Sequence, residues 1–106
     1  MVASTEKKVI NLLDNGGADA WTAVETGTAV TIDTSPFFER GHLKAQLGGD
    51  DFVGTMKLQG SDDNSTWTDL IASMVKHRVD QVQVKKYMRA NCTAYTSGTG
   101  YVRLFD

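Results

Sequence analysis

Hydrophobic and polar residues alternate with a period of two along much of this chain. From His42 to Leu47, the apolar Leu43, Ala45 and Leu47 interleave with His42, Lys44 and Gln46. Phe52, Gly54, Met56 and Leu58 interleave with Val53, Thr55, Lys57 and Gln59. The clearest run places Met88, Ala90, Cys92 and Ala94 on one side and Tyr87, Arg89, Asn91, Thr93 and Tyr95 on the other, and Val102 and Leu104 repeat the rule near the end. This period belongs to half-buried strands, because successive Cβ atoms leave opposite faces of a sheet.

Shorter runs complete the set. Trp21–Glu25 and Ala29–Asp33 flank Thr26-Gly27-Thr28 and read as a hairpin, closed by Ser35-Pro36 because proline lacks the ladder N–H. His42–Leu47 and Phe52–Gln59 read as a second hairpin across Gly48-Gly49-Asp50-Asp51. Val9–Leu13 reads as a strand, with a short helix from Thr5 as the alternative; the Asp14-Asn15-Gly16-Gly17 turn suits either. Val75, His77 and Val79 differ in parity from Val82 and Val84, which predicts a bulge or loop near Asp80-Gln81. A helix over Trp67–Val79 fails on its β-branched content and broken 3.6-residue period.

The most sharply specified element runs from Leu58 to Leu70. It is a strand, a turn of almost pure turn chemistry (Gly60-Ser61-Asp62-Asp63-Asn64-Ser65), and a strand opening at Trp67. About eight short strands, turns rich in Gly, Asn and Asp, and a single proline together predict an all-β fold, an antiparallel β-sandwich or barrel.

At 106 residues the chain fits one domain, read as a loose polar arm at residues 1–8 and a β-sandwich at 9–106. A net charge of -2 argues against a nucleic-acid partner, which calls for clustered Lys and Arg. The single cysteine, Cys92, allows no internal disulfide and no thiolate metal cluster, and its inward position marks a structural thiol. No apolar run approaches the length of a membrane span, and Glu6-Lys7-Lys8 is not followed by the apolar core of an export leader, so synthesis in the cytosol is expected.

Candidate chemistry is sparse. Asp62-Asp63-Asn64-Ser65 offers oxygens to a cation but lacks the spaced acids of a calcium loop, so a hairpin turn is the plainer reading. His42 and His77 have no metal spacing, and no nucleophile-elbow pattern occurs; no enzyme activity, metal or cofactor is expected. The aromatic and arginine residues carry more. Tyr87, Arg89, Tyr95, Tyr101, Arg103 and Phe105 all fall on the outward parity of the last two strands. If those strands are neighbours, they form one interface-like patch; if the faces are reversed, they are core. Phe37 and Phe38 are either a plug under the sandwich or a further interface element.

The hairpin Gly60-Ser61-Asp62-Asp63-Asn64-Ser65-Thr66-Trp67-Thr68-Asp69-Leu70, followed by Lys85-Lys86-Tyr87-Met88-Arg89 and Gly100-Tyr101-Val102-Arg103-Leu104, resembles small tailed-phage virion accessory proteins over about the last half of the chain. The resemblance implies a jelly-roll-like sandwich. It implies a capsid decoration (cement) protein: a homotrimer on the outside of the virion head, bound to the major capsid protein, stabilising the shell. A neck or tail position is the alternative within the same class. The hairpin also resembles the strand turn of discoidin-like carbohydrate-binding sandwiches, with Asn64 where those have glycine, and with Trp67 as the implied stacking platform.

Overall fold

The computed structural model describes residues 9–14, 16–17, 20–31 and 42–105. The arm at 1–8 and the pair Phe37 and Phe38 lie outside the described residues. The described residues form strands β1 (Val9–Leu12), β2 (Glu25–Thr26), β3 (Val30–Thr31), β4 (His42–Gly48), β5 (Val53–Ser61), β6 (Thr68–Ile71), β7 (Val79–Gln83), β8 (Tyr87–Ser97) and β9 (Tyr101–Phe105).

Two antiparallel sheets pack together as a β-sandwich. One is four-stranded in the order β1-β9-β4-β7; the other runs β2-β8-β5-β6, with β3 also paired to β8. Strands β2 and β3 meet successive parts of β8, at Cys92-Asn91 and Met88-Tyr87, and so act as one interrupted strand. Counted that way, first pairs with last, second with next to last, β4 with β7 and β5 with β6, and these pairs alternate between sheets.

The alternation read from the sequence marks most of the core correctly, although Gly54, expected inward, is exposed. Leu43, Ala45, Leu47, Met56, Leu58, Met88, Ala90, Cys92, Val102 and Leu104 are all buried between the sheets. The expected pairings fare differently. The β5–β6 hairpin forms as expected, with Gly60 opposite Thr68. The two other hairpins do not: β4 and β5 lie in different sheets, and β2 and β3 each pair with β8 instead of each other. Alternation reports a strand's face and not its neighbour, so a tight turn was equally able to carry the chain from one sheet to the other.

The Trp21 segment is a bridge and not a strand. Its N–H donates to Gly100 O at 2.8 Å and its carbonyl accepts from Gly100 N at 3.0 Å, while the indole is wholly buried. Gly27 crosses closely above: a Cβ there would sit 2.6 Å from the carbonyl oxygens of Leu13 and Ala90 and 2.8 Å from the Trp21 ring.

Two further parity expectations are corrected. Met56 faces Cys92 and Thr55 faces Ala94, so Thr93 is the extra residue of a bulge in β8. Beyond it the faces swap. Ala94, expected inward, is exposed, and Tyr95, expected outward, packs on the core with its ring 6.3 Å from that of Phe52. Its hydroxyl donates to Gly98 O at 2.7 Å. No break occurs at Asp80-Gln81, where β7 keeps register with β4 from Val79 to Gln83. The odd valines simply face solvent, Val75 at 53% and Val79 at 47% exposure, while Val82 and Val84 are buried.

Two outcomes are expected. Gly27→Ala forces a methyl against two carbonyls and an indole, and lowers stability by about 1–3 kcal/mol, read as a shift of the urea midpoint. Burial raises the Cys92 thiol above its ordinary pKa, and its Sγ donates to Ala94 O at 3.3 Å. A thiol reagent at neutral pH therefore leaves the native protein unmodified and labels it stoichiometrically only in denaturant.

Candidate functional site

Because β8 and β9 belong to different sheets, the arginine and aromatic residues do not form one patch. Tyr87 and Arg89 lie on the outer face of the β2-β8-β5-β6 sheet; Tyr101, Arg103 and Phe105 lie on the outer face of the other. The chain turns over the edge of the sandwich at Gly98 (φ 83°), and this crossing divides the residues that sequence parity had grouped.

On the first face the polar groups are spent on one another. The ladder puts Arg89 opposite Gln59, and Gln59 opposite Asp69. Arg89 Nε donates to Gln59 Oε1 at 2.9 Å, Gln59 Nε2 donates to Asp69 Oδ1 at 2.9 Å, and Lys57 Nζ donates to Asp69 Oδ2 at 3.0 Å. The Arg89 guanidinium carbon lies 4.0 Å from the centroid of Trp67, so that ring is stacked beneath a cation. Gln59 points away from the core yet is only 9% exposed, since its neighbours cover it. The bond from Gln59, reinforced by Lys57, holds the Asp69 carboxyl below its ordinary pKa. Tyr87, at the end of the row, carries the Lys86 ammonium 5.7 Å from its ring centroid.

The turn beside this face is also self-satisfied. Asp63 Oδ1 accepts from the backbone N–H of Ser65 at 2.9 Å and of Thr66 at 2.8 Å, and from Ser61 Oγ at 2.9 Å. These bonds, Thr66 first, lower its pKa. Asn64 takes the left-handed conformation at φ 59°, which Asn tolerates. The Asp62-Asp63-Asn64 motif thus spends its central carboxylate on closing the turn. A cleft of ≈ 150 Å³ lies between it and Lys85.

The second face is arranged the other way. Arg103 stands in register between Asn11 and Gln46, Tyr101 is opposite Gly48, and Phe105 is opposite Lys44. On the β7 side, Val79 is opposite Gln46, Gln81 opposite Lys44, and Gln83 opposite His42. Arg103 and Lys44 are exposed, and neither forms a hydrogen bond or ion pair among the described residues. Tyr101 is 39% exposed beside a glycine that offers no side chain to cover it. Asn11, Tyr101, Val102 and Arg103 line an open groove of ≈ 250 Å³.

Sequence reasoning named Trp67, Arg89, Tyr101 and Arg103 but not the Lys57–Asp69–Gln59 chain that engages the polar groups of one face, nor Lys44 on the other. Lys57 and Gln59 were readable as outward on β5. Their meeting with Asp69 depended on the hairpin register and with Arg89 on the β5–β8 pairing.

No family model, no curated protein and no solved structure matches this chain, so its function is read from its own residues.

The acid dependence follows from the Asp69 shift. A carboxylate with a depressed folded-state pKa contributes stability that is fully present above its unfolded pKa, near 3.8, and is lost as pH falls through the lower folded value. Asp69→Asn should therefore melt below the wild type at neutral pH, and the gap between the two melting curves should close as pH is lowered past that range.

Proposed function

We propose that this protein is a virion accessory protein of a tailed phage, acting as a capsid decoration protein that binds the outside of the head as a homotrimer. The nested strand order, first with last and alternating between sheets, supports a jelly-roll reading of the sandwich, the architecture that the resemblance implies. The observation that carries the reading is the outer face of the β1-β9-β4-β7 sheet, with Tyr101 exposed and Arg103 unspent beside an open groove. Arginine and tyrosine are the residues that anchor protein interfaces. The work done is mechanical: copies bury this face against shell subunits and one another, tying neighbouring capsomers together. A chain of this size with no disulfide gains further stability from such contacts by mass action. The carbohydrate-binding alternative asks for Trp67 as a stacking platform, and the Arg89 guanidinium already occupies one face of that ring.

The test is co-sedimentation of the purified chain with phage heads lacking it, together with mass by light scattering. The expected results are saturable binding, a trimeric mass, and heads that resist heat longer once decorated. Tyr101→Ala with Arg103→Ala should weaken head binding at least tenfold, while Arg89→Ala leaves it near wild type. A monomer that ignores heads sinks the proposal. A glycan array on which wild type binds and Trp67→Ala does not would put the carbohydrate reading in its place.

A further inference from the structure

Charge is divided unevenly between the two outer faces. The face built on Arg89 carries a carboxylate, Asp69, in contact with Lys57, and its arginine is already bonded to Gln59 and stacked on Trp67. The opposite face has no carboxylate at all among its described outward side chains. Those of β1, β4, β7 and β9 are neutral or basic, and the permanent cations among them are Lys44 and Arg103. Asp80 of β7 does not alter this: it is in register with the buried Ala45, on the other parity, and is bonded to Arg78 at 2.9 Å. The chain as a whole has more acids than bases, 13 against 11, so an acid-free sheet face runs against its composition.

We propose that this face docks a carboxylate-rich protein surface, with Arg103 as the central contact and Lys44 one diagonal step along the sheet. The inference rests on the reading of this face as a docking surface and goes on to name the chemistry of what it docks. Arg103 keeps its guanidinium donors uncommitted among the described residues, and a planar fork matches a carboxylate through two parallel N–H···O bonds. Tyr101 and Phe105 flank it two residues away on β9, supplying the apolar contact that excludes water from the pair. Gly48 leaves the sheet surface flat next to Tyr101, and a Cβ there would lie 3.7 Å from the Arg103 Nη2. A nucleic-acid partner fits less well, because neutralising a phosphate chain takes more cations than the pair of Lys44 and Arg103.

The test titrates the full ¹⁵N-labelled chain with a capped oligoglutamate peptide, and in parallel with a single-stranded oligonucleotide of equal charge, at low and high salt. The expected amide shifts cluster on β4 and β9 around Arg103, and they shrink in high salt. Arg103→Glu lowers peptide affinity by about tenfold or more, whereas Lys57→Gln on the opposite face leaves it unchanged. Arg103→Gln is the second variant should the charge reversal fail to give a dispersed spectrum. The proposal is overturned by shifts that map to β5, β6 and β8, by an Arg103→Glu affinity equal to wild type, or by tighter binding of the oligonucleotide. It is also overturned if the same shifts arise on concentrating the protein without peptide, since the occupant is then a second copy. Failure here is separable from failure of the virion reading. A chain that binds the peptide on this face but ignores heads retains this inference and loses the other. Head binding that is insensitive to Arg103→Glu does the reverse.

Discussion

Each sheet has one apolar face, and neither face can be covered except by the other. Met56 and Leu58 of β5 and Met88, Ala90 and Cys92 of β8 close over Leu43, Ala45 and Leu47 of β4 and Val102 and Leu104 of β9. A fully buried aliphatic side chain contributes about 1.5–3 kcal/mol relative to exposure, and isolated strands of four or five residues have no stability of their own. The inward side chains therefore decide the outward ones. Once Val102 and Leu104 are committed to the core, Tyr101, Arg103 and Phe105 have nowhere to point but outward.

The outer faces then diverge through the identity of neighbouring strands. Beside β8 lies β5, which places Gln59 under Arg89, and beside β5 lies β6, which brings Asp69 to Gln59 and Lys57. Exposed ion pairs of this kind contribute little stability singly. Their effect here is positional: an arginine bonded at Nε and stacked on an indole has lost the freedom to reach a partner. Beside β9 lie β1 and β4, which offer Asn11, Gln46 and Gly48, none of them charged. Arg103 is left whole. The same residue type, at the same parity, is a structural clamp on one side of the sandwich and an open donor on the other.

Much of this was legible in advance, though unevenly. The all-β class, the buried side of β4 and β9, the first half of β8, and the β5–β6 hairpin with its Asp63-centred turn follow from alternation and turn chemistry. Tyr95 was misplaced because a bulge at Thr93 adds a residue without any mark in composition. Val75 and Val79 misled because β-branched residues favour strands whether or not they are buried. The single patch expected from Tyr87 to Phe105 dissolved because the turn at Gly98 crosses between sheets instead of joining neighbours.

By itself, then, the sequence determined which side of most strands is apolar, since a period of two is a local property of an extended chain. It also marked many of the turns, because Gly, Asn and Asp tolerate turn backbone best, although the turn at His77 (φ 67°) carries no such residue at that position. Apart from the β5–β6 hairpin, only the tertiary structure decided which strands lie side by side. Register and neighbour are set by packing between residues far apart in the chain, such as Arg103 with Asn11 and Gln46, or Arg89 with Gln59. That choice of neighbours, and no feature of the arginines themselves, leaves one of them free to bind.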